Sequence, residues 1–264
     1  ADYFNAAIRK ITPSGQVSVF AGNPTLYSEL NGNGAQANFM DPHNLAIDGA
    51  DNIYVTEDVW DGVLKITPAG VVTTLAGTEP TAQFQLPGPM VGDQAGNVYV
   101  VDRLAQTISK ISPTGVVVTL AGNSSQPLQA IDGVGTAAKF GGIGGIAMDK
   151  DGTLYATDGK LIRKITSAGV VTSLQNTSGP AFSALGSIAI DANGNFFVID
   201  NGNQTILKMT PAGVVTTIAG TPSAANIAVG TLPGALGTPA FLAFDHSGAL
   251  YATANNVVLK IRLP

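Results

Sequence analysis

Cysteine is absent from the 264 residues, which excludes disulfides, thiol catalysis and Cys-ligated zinc. Charge is scarce: Asp, Glu, Lys and Arg make up 12% of the chain, about half the ~25% usual in globular domains. Basic residues are the scarcer sign, 13 Lys and Arg against 18 Asp and Glu, for a net charge of −5. Nucleic acid is therefore not an expected partner, because phosphate binding needs clustered Lys and Arg. No apolar run approaches the ~18 residues of a membrane-spanning helix, so no membrane insertion is expected. Long amphipathic helical stretches are also missing. What is plentiful is turn chemistry, with 32 Gly and 15 Pro, alongside a 45% hydrophobic fraction that can bury a large core.

Self-similarity organises the chain. One unit recurs five times: PHNLAIDGADNIYVTE (42–57), PGPMVGDQAGNVYVVD (87–102), IGGIAMDKDGTLYATD (143–158), LGSIAIDANGNFFVID (185–200) and PAFLAFDHSGALYATA (239–254). Behind it comes a segment found six times, counting the chain start: IRKITPSG, VLKITPAG, ISKISPTG, IRKITSAG, ILKMTPAG and VLKIRLP. Five of these lead into QVSVFAG, VVTTLAG, VVVTLAG, VVTSLQN or VVTTIAG. Short alternating segments bounded by Gly, Pro, Asn or Asp predict strands, here four per unit, a to d. In the a–b turn Asp48, Asp93, Asp149, Asp191 and Asp245 can cap backbone N–H groups, with Gly taking the left-handed position.

A meander of this kind cannot cover both of its faces alone; radial stacking predicts an all-β propeller. The pattern P-x-x-I-A-x-D-x-x-G-N-x-Y-V-x-D followed by I-x-K-I resembles the NHL repeat, which implies a six-bladed ring. Six copies of strand c but five each of a, b and d give a partial blade at 1–22 and blades at 42–77, 87–122, 143–175 and 185–220. The last, incomplete blade lies at 239–263, and the first lacks upstream strands. A five-bladed alternative leaves 257–262 as a surplus strand. The connections before strand a are long at 23–41, 123–142 and 221–238, and short elsewhere. Long connections are often functional, so the face bearing them and the b–c loops is the expected binding face. Phe39, Phe84, Phe140, Phe182 and Leu236, each three residues before strand a, are expected core plugs.

Chemical signatures are sparse. Neither G-x-S-x-G nor a P-loop occurs. Asp2, Glu57, Asp102, Asp158 and Asp200 at the end of strand b recur with Lys10, Lys65, Lys110, Lys164, Lys208 and Lys260 of strand c. Cross-strand Asp–Lys pairs within each blade are the expectation. The DGVG stretch at 132–135 is half of a calcium loop at most. Enzymes with a similar repeat, lyases and lactonases, imply His or acidic residues around a central channel with a divalent cation. Here the corresponding positions are small and apolar except His43 and Asn44, so no catalytic residue, metal ligand or cofactor is assigned.

Trp60 does not recur between blades, and Tyr3, Phe4 and Tyr27 fall on the same predicted face. The expected function is a non-enzymatic binding module that offers this face to a protein partner through Trp60, Tyr3, Phe4, Tyr27, His43 and Asn44. A lyase or lactonase with a divalent cation, and a carbohydrate-binding propeller, are the alternatives. The composition resembles bacterial secreted relatives of the repeat, so the expected location is extracellular or periplasmic.

Overall fold

The recurring Asp closes the a–b turn in the computed structural model, which describes residues 1–26, 30–59, 61–77, 83–124, 129–221, 227–228, 230 and 234–263. Asp191 is representative: its Oδ1 accepts from Asn193 N and Asn195 N, and its Oδ2 from Asn195 Nδ2. Gly194 follows with φ +78°, a value that L side chains rarely adopt. Asp51, at φ +60°, occupies that left-handed position in the first hairpin.

The chain comprises two compact units, Ala1–Ser124 and Ser125–Pro264. Unit 1 starts with β1 (Ile8–Ile11) and β2 (Val17–Ala21), followed by two-residue β3 (Gly32–Asn33). Its blades are β4–β7 (Pro42–Ile47, Ile53–Glu57, Gly62–Ile66, Val71–Ala76) and β8–β11 (Pro87–Gly92, Val98–Asp102, Thr107–Ile111, Val117–Gly122). Unit 2 starts with β12 (Gly133–Val134) and has the blade β13–β16 (Ile143–Met148, Leu154–Asp158, Leu161–Ile165, Val170–Ser173). Then come the blade β17–β20 (Leu185–Ile190, Phe196–Asp200, Thr205–Met209, Val215–Ala219) and the ribbon β21–β22 (Ile227–Ala228, Ala235–Leu236). The last blade is β23–β25 (Pro239–Phe244, Leu250–Ala254, Val257–Ile261). Strands within each blade pair antiparallel in chain order, as a meander requires.

The architecture is the all-β one of a propeller, but with five blades and not the expected six. Strand c recurs six times, yet a blade also needs its a–b hairpin, and that occurs five times. Without such a hairpin, β1 and β2 form a separate two-stranded sheet. Ile8 and Ala21 of that sheet bury against Phe39, Val55 and Leu64 of the first blade. Val257–Ile261 is no surplus strand, because it pairs with β24.

Two of the long connections run along sheet edges. Gly32 and Asn33 pair with Val72 and Val71, and Gly133 and Val134 with Val171 and Val170, giving each blade a fifth strand. An outer edge otherwise presents a row of unpaired N–H and C=O groups, which these residues cover. Each connection then turns through a 3-10 segment, Gly34–Gln36 or Gly135–Ala137, that delivers a fully buried Phe39 or Phe140 to the core. Phe84 and Leu236 are likewise buried and Phe182 partly so, as core plugs should be.

The strand-c lysines do not pair with the strand-b acids. Lys65, Lys110, Lys208 and Lys260 lie over the rings of Tyr54, Tyr99, Phe197 and Tyr251, at 5.8, 5.7, 5.7 and 5.4 Å from the centroids. Those rings are their direct cross-strand partners. The acids instead bind backbone N–H groups just before strand a: Glu57 holds Met40 and Asp41, Asp102 holds Gln85 and Leu86, and Asp158 holds Gly141 and Gly142.

Candidate functional site

The site lies in unit 1, where strand b ends and strand a begins. Asp2 fixes its first element. The Asp2 carboxylate accepts from Asn5 Nδ2 at 2.8 Å and pairs with Arg9 Nε at 2.9 Å, closing the 3-10 turn Tyr3–Asn5. The turn projects Phe4, 83% exposed, with Tyr3 edge-on to it at 5.1 Å between centroids. Tyr3 in turn meets the His43 ring edge-on at 5.8 Å.

His43 and Asn44 open β4. Asn44 is buried, its backbone N–H and its Nδ2 both donating to Thr56 Oγ1, at 3.0 and 3.3 Å. Its Nδ2 also lies 3.0 Å from His43 Nδ1. An amide nitrogen only donates, so His43 accepts at Nδ1 and carries its proton on Nε2. Asp58 Oδ2 sits 3.7 Å from the same Nδ1 and 3.6 Å from an Arg103 Nη. Both are longer than a hydrogen bond. Asp58 Oδ1 and Arg103 Nε are buried and find no hydrogen-bond partner among the described residues. Gly88 makes room for Arg103: a Cβ there would come within 2.8–2.9 Å of its side chain.

Burial pushes the His43 imidazole below its ordinary value; the Asp58 carboxylate opposes this and the Arg103 guanidinium reinforces it. The unfolded chain therefore takes up the proton first. Stability is full above about pH 6.5 and declines as the pH falls towards the lowered His43 value. NMR titration should place His43 below 6.5, and replacing His43 with Asn should remove that part of the acid sensitivity. A His43 titrating at or above 6.5 would contradict the burial argument.

The structure thus brings Tyr3, Phe4, His43 and Asn44 together and adds Asp58 and Arg103. Trp60 and Tyr27 lie outside the described residues. The signal for the two missed residues was positional. The residue after the strand-b acid is Asp58, Arg103, Gly159 and Asn201 in successive blades, so it varies in chemistry where its neighbour does not. A divalent cation does not fit: among the described residues no three His, Asp or Glu side chains converge, and a guanidinium faces Asp58. In the DGVG stretch Asp132 is held by Arg163 and Ser173, which occupies it as a hydrogen-bond acceptor.

No protein-family model matches the chain, and no curated protein sequence does so either. Solved structures do. A protein of unknown function from Bacteroides thetaiotaomicron superposes with TM-score 0.72 at 17% identity, over 93% of this chain and 61% of its own. This chain thus spans about three fifths of that protein's length. A gluconolactonase from Xanthomonas campestris gives 0.69 at 12% identity, over 100% of this chain and 81% of that one. A chain from a nidogen–laminin complex gives 0.67 at 15%, over 98% and 88%. The fold is a β-propeller. At such identities the likeness extends to the fold alone.

Proposed function

We propose that the protein is a non-enzymatic binding module of NHL-repeat type, and that unit 1 offers Tyr3, Phe4, His43, Asp58 and Arg103 to a protein partner. The observation that supports this reading is the exposure of Phe4, a large ring held on a closed turn against Tyr3. Exposed aromatic rings and arginines are the residue types that anchor interfaces. Glycan binding by the same rings is distinguished by a glycan array. A location outside the cell fits the composition.

Cross-linked co-purification from the source organism's secreted fraction tests the reading. Phe4→Ala and Arg103→Ala should each weaken capture by more than about 1 kcal/mol with an unchanged melting temperature. Equal capture by the wild type and both variants would count against the proposal. The second reading, a lactonase-like enzyme, is favoured by a neutral His43 beside a carboxylate. Its test is lactone hydrolysis that is lost in His43→Ala.

A further inference from the structure

We infer that unit 2 carries a second binding site, a cleft between the fourth and fifth blades that takes a small phenol-type ligand, an apolar ring with one neutral hydroxyl. The repeat itself points to the missing group. In the first blade Tyr54 donates its hydroxyl to Asp48 Oδ2 at 2.8 Å, alongside Asn52 Nδ2 at 2.8 Å. Tyr155 and Tyr251 make the corresponding bonds to Asp149 and Asp245. The fourth blade has Phe197 at this position. Among the described residues Asp191 Oδ2 accepts only from Asn195 Nδ2, at 2.7 Å; Asp93 Oδ2 in the second blade, whose Tyr99 makes no such bond, likewise accepts from Asn97 Nδ2.

A cleft of about 310 Å³ opens beside this vacancy, lined by Asp191, Phe197, Lys208, Ile218, Phe244 and Leu263 among others. That is the small end of the ~300–1,000 Å³ range of ligand pockets, room for a single substituted ring. Phe197 and Phe244 meet edge-on at 5.1 Å and supply aromatic walls. Charge favours neither ion, since each would meet one attractive and one repulsive group, Asp191 and Lys208, with no net gain to offset its desolvation. The remaining complement is a neutral hydroxyl for Asp191 on a ring that packs against the apolar wall.

Titration of 15N-labelled full chain with p-cresol, toluene and p-toluate tests this. p-Cresol should shift the amides of Asn193 and Gly248 and bind at least fivefold more tightly than toluene or p-toluate. Phe197→Tyr supplies the hydroxyl from within the chain. It should raise the melting temperature by about 2–4 °C and weaken p-cresol at least tenfold. Leu263→Trp, which enlarges a side chain lining the cleft, should weaken p-cresol similarly and serves if the first variant does not fold. Absence of shifts up to the solubility limit, toluene or p-toluate binding as tightly as p-cresol, or a folded variant of either kind with wild-type affinity would overturn the inference.

Discussion

Arg163→Met should lower the free energy of unfolding by about 3–5 kcal/mol, the cost of removing one partner from a buried ion pair. Arg163 is fully buried, at a repeat position where other blades carry Leu64, Ser109 and Leu207. Its Nη1 donates to Asp158 Oδ2 at 2.6 Å and to the Lys139 carbonyl at 3.2 Å; its Nη2 donates to Asp132 Oδ1 at 2.9 Å. The guanidinium carbon lies 5.3 Å from the centre of the Phe140 ring. One side chain thus clasps the long connection before β13 at three points. Asp158 is as buried as its partner, and without the guanidinium its carboxyl group is left with two backbone N–H groups, those of Gly141 and Gly142. Adding Asp158→Asn to Arg163→Met should recover part of the loss, because a neutral amide tolerates burial better. Urea unfolding measures both, and a loss below about 1 kcal/mol for Arg163→Met would refute the clasp.

The blade was legible in the sequence because its determinants are local. The capping Asp, the left-handed Gly and the apolar alternation all lie within sixteen residues, and each recurs. The 3-10 turns ahead of Phe39 and Phe140 fall in the similar stretches NGNGAQANF and DGVGTAAKF. The expected Asp–Lys pairs failed on parity. Glu57 follows Tyr54 by three residues, so the two side chains leave opposite faces of the strand. Tyr54 opposes Lys65, while Glu57 opposes Gly62. The candidate site was half legible. His43 and Asn44 stand out where other blades carry Gly88–Pro89, Gly144–Gly145, Gly186–Ser187 and Ala240–Phe241, but Asp58 and Arg103 lie 45 residues apart in adjacent blades. Only their stacking joins them.

The strand-b acids give a prediction with an internal control. Asp102 accepts backbone N–H groups on both sides of the blade end: Gln85 at 2.7 Å and Leu86 at 3.3 Å before strand a, Leu104 at 3.1 Å and Ala105 at 2.9 Å in the b–c loop. Asp200 does the same for Ser183, Ala184 and Gly202, with Asn203 Nδ2 as a fourth donor. Both carboxylates are buried, so Ala at either position strands several donors, and Asp102→Ala should cost about 3 kcal/mol. The fifth blade already carries Ala254 here, and its replacement is visible: Asn255 accepts through Oδ1 from the backbone N and the hydroxyl of Thr238. Asn201 stands at the position of Asn255 in the fourth blade, whereas Arg103 stands there in the second and has no acceptor to offer. Asp200→Ala should therefore be partly rescued by Asn201 and cost at least about 1 kcal/mol less than Asp102→Ala. In Asp200→Ala/Asn201→Ala the loss should rise to the Asp102→Ala level. Equal losses for the two single variants would show that the neighbouring amide does not substitute for the carboxylate.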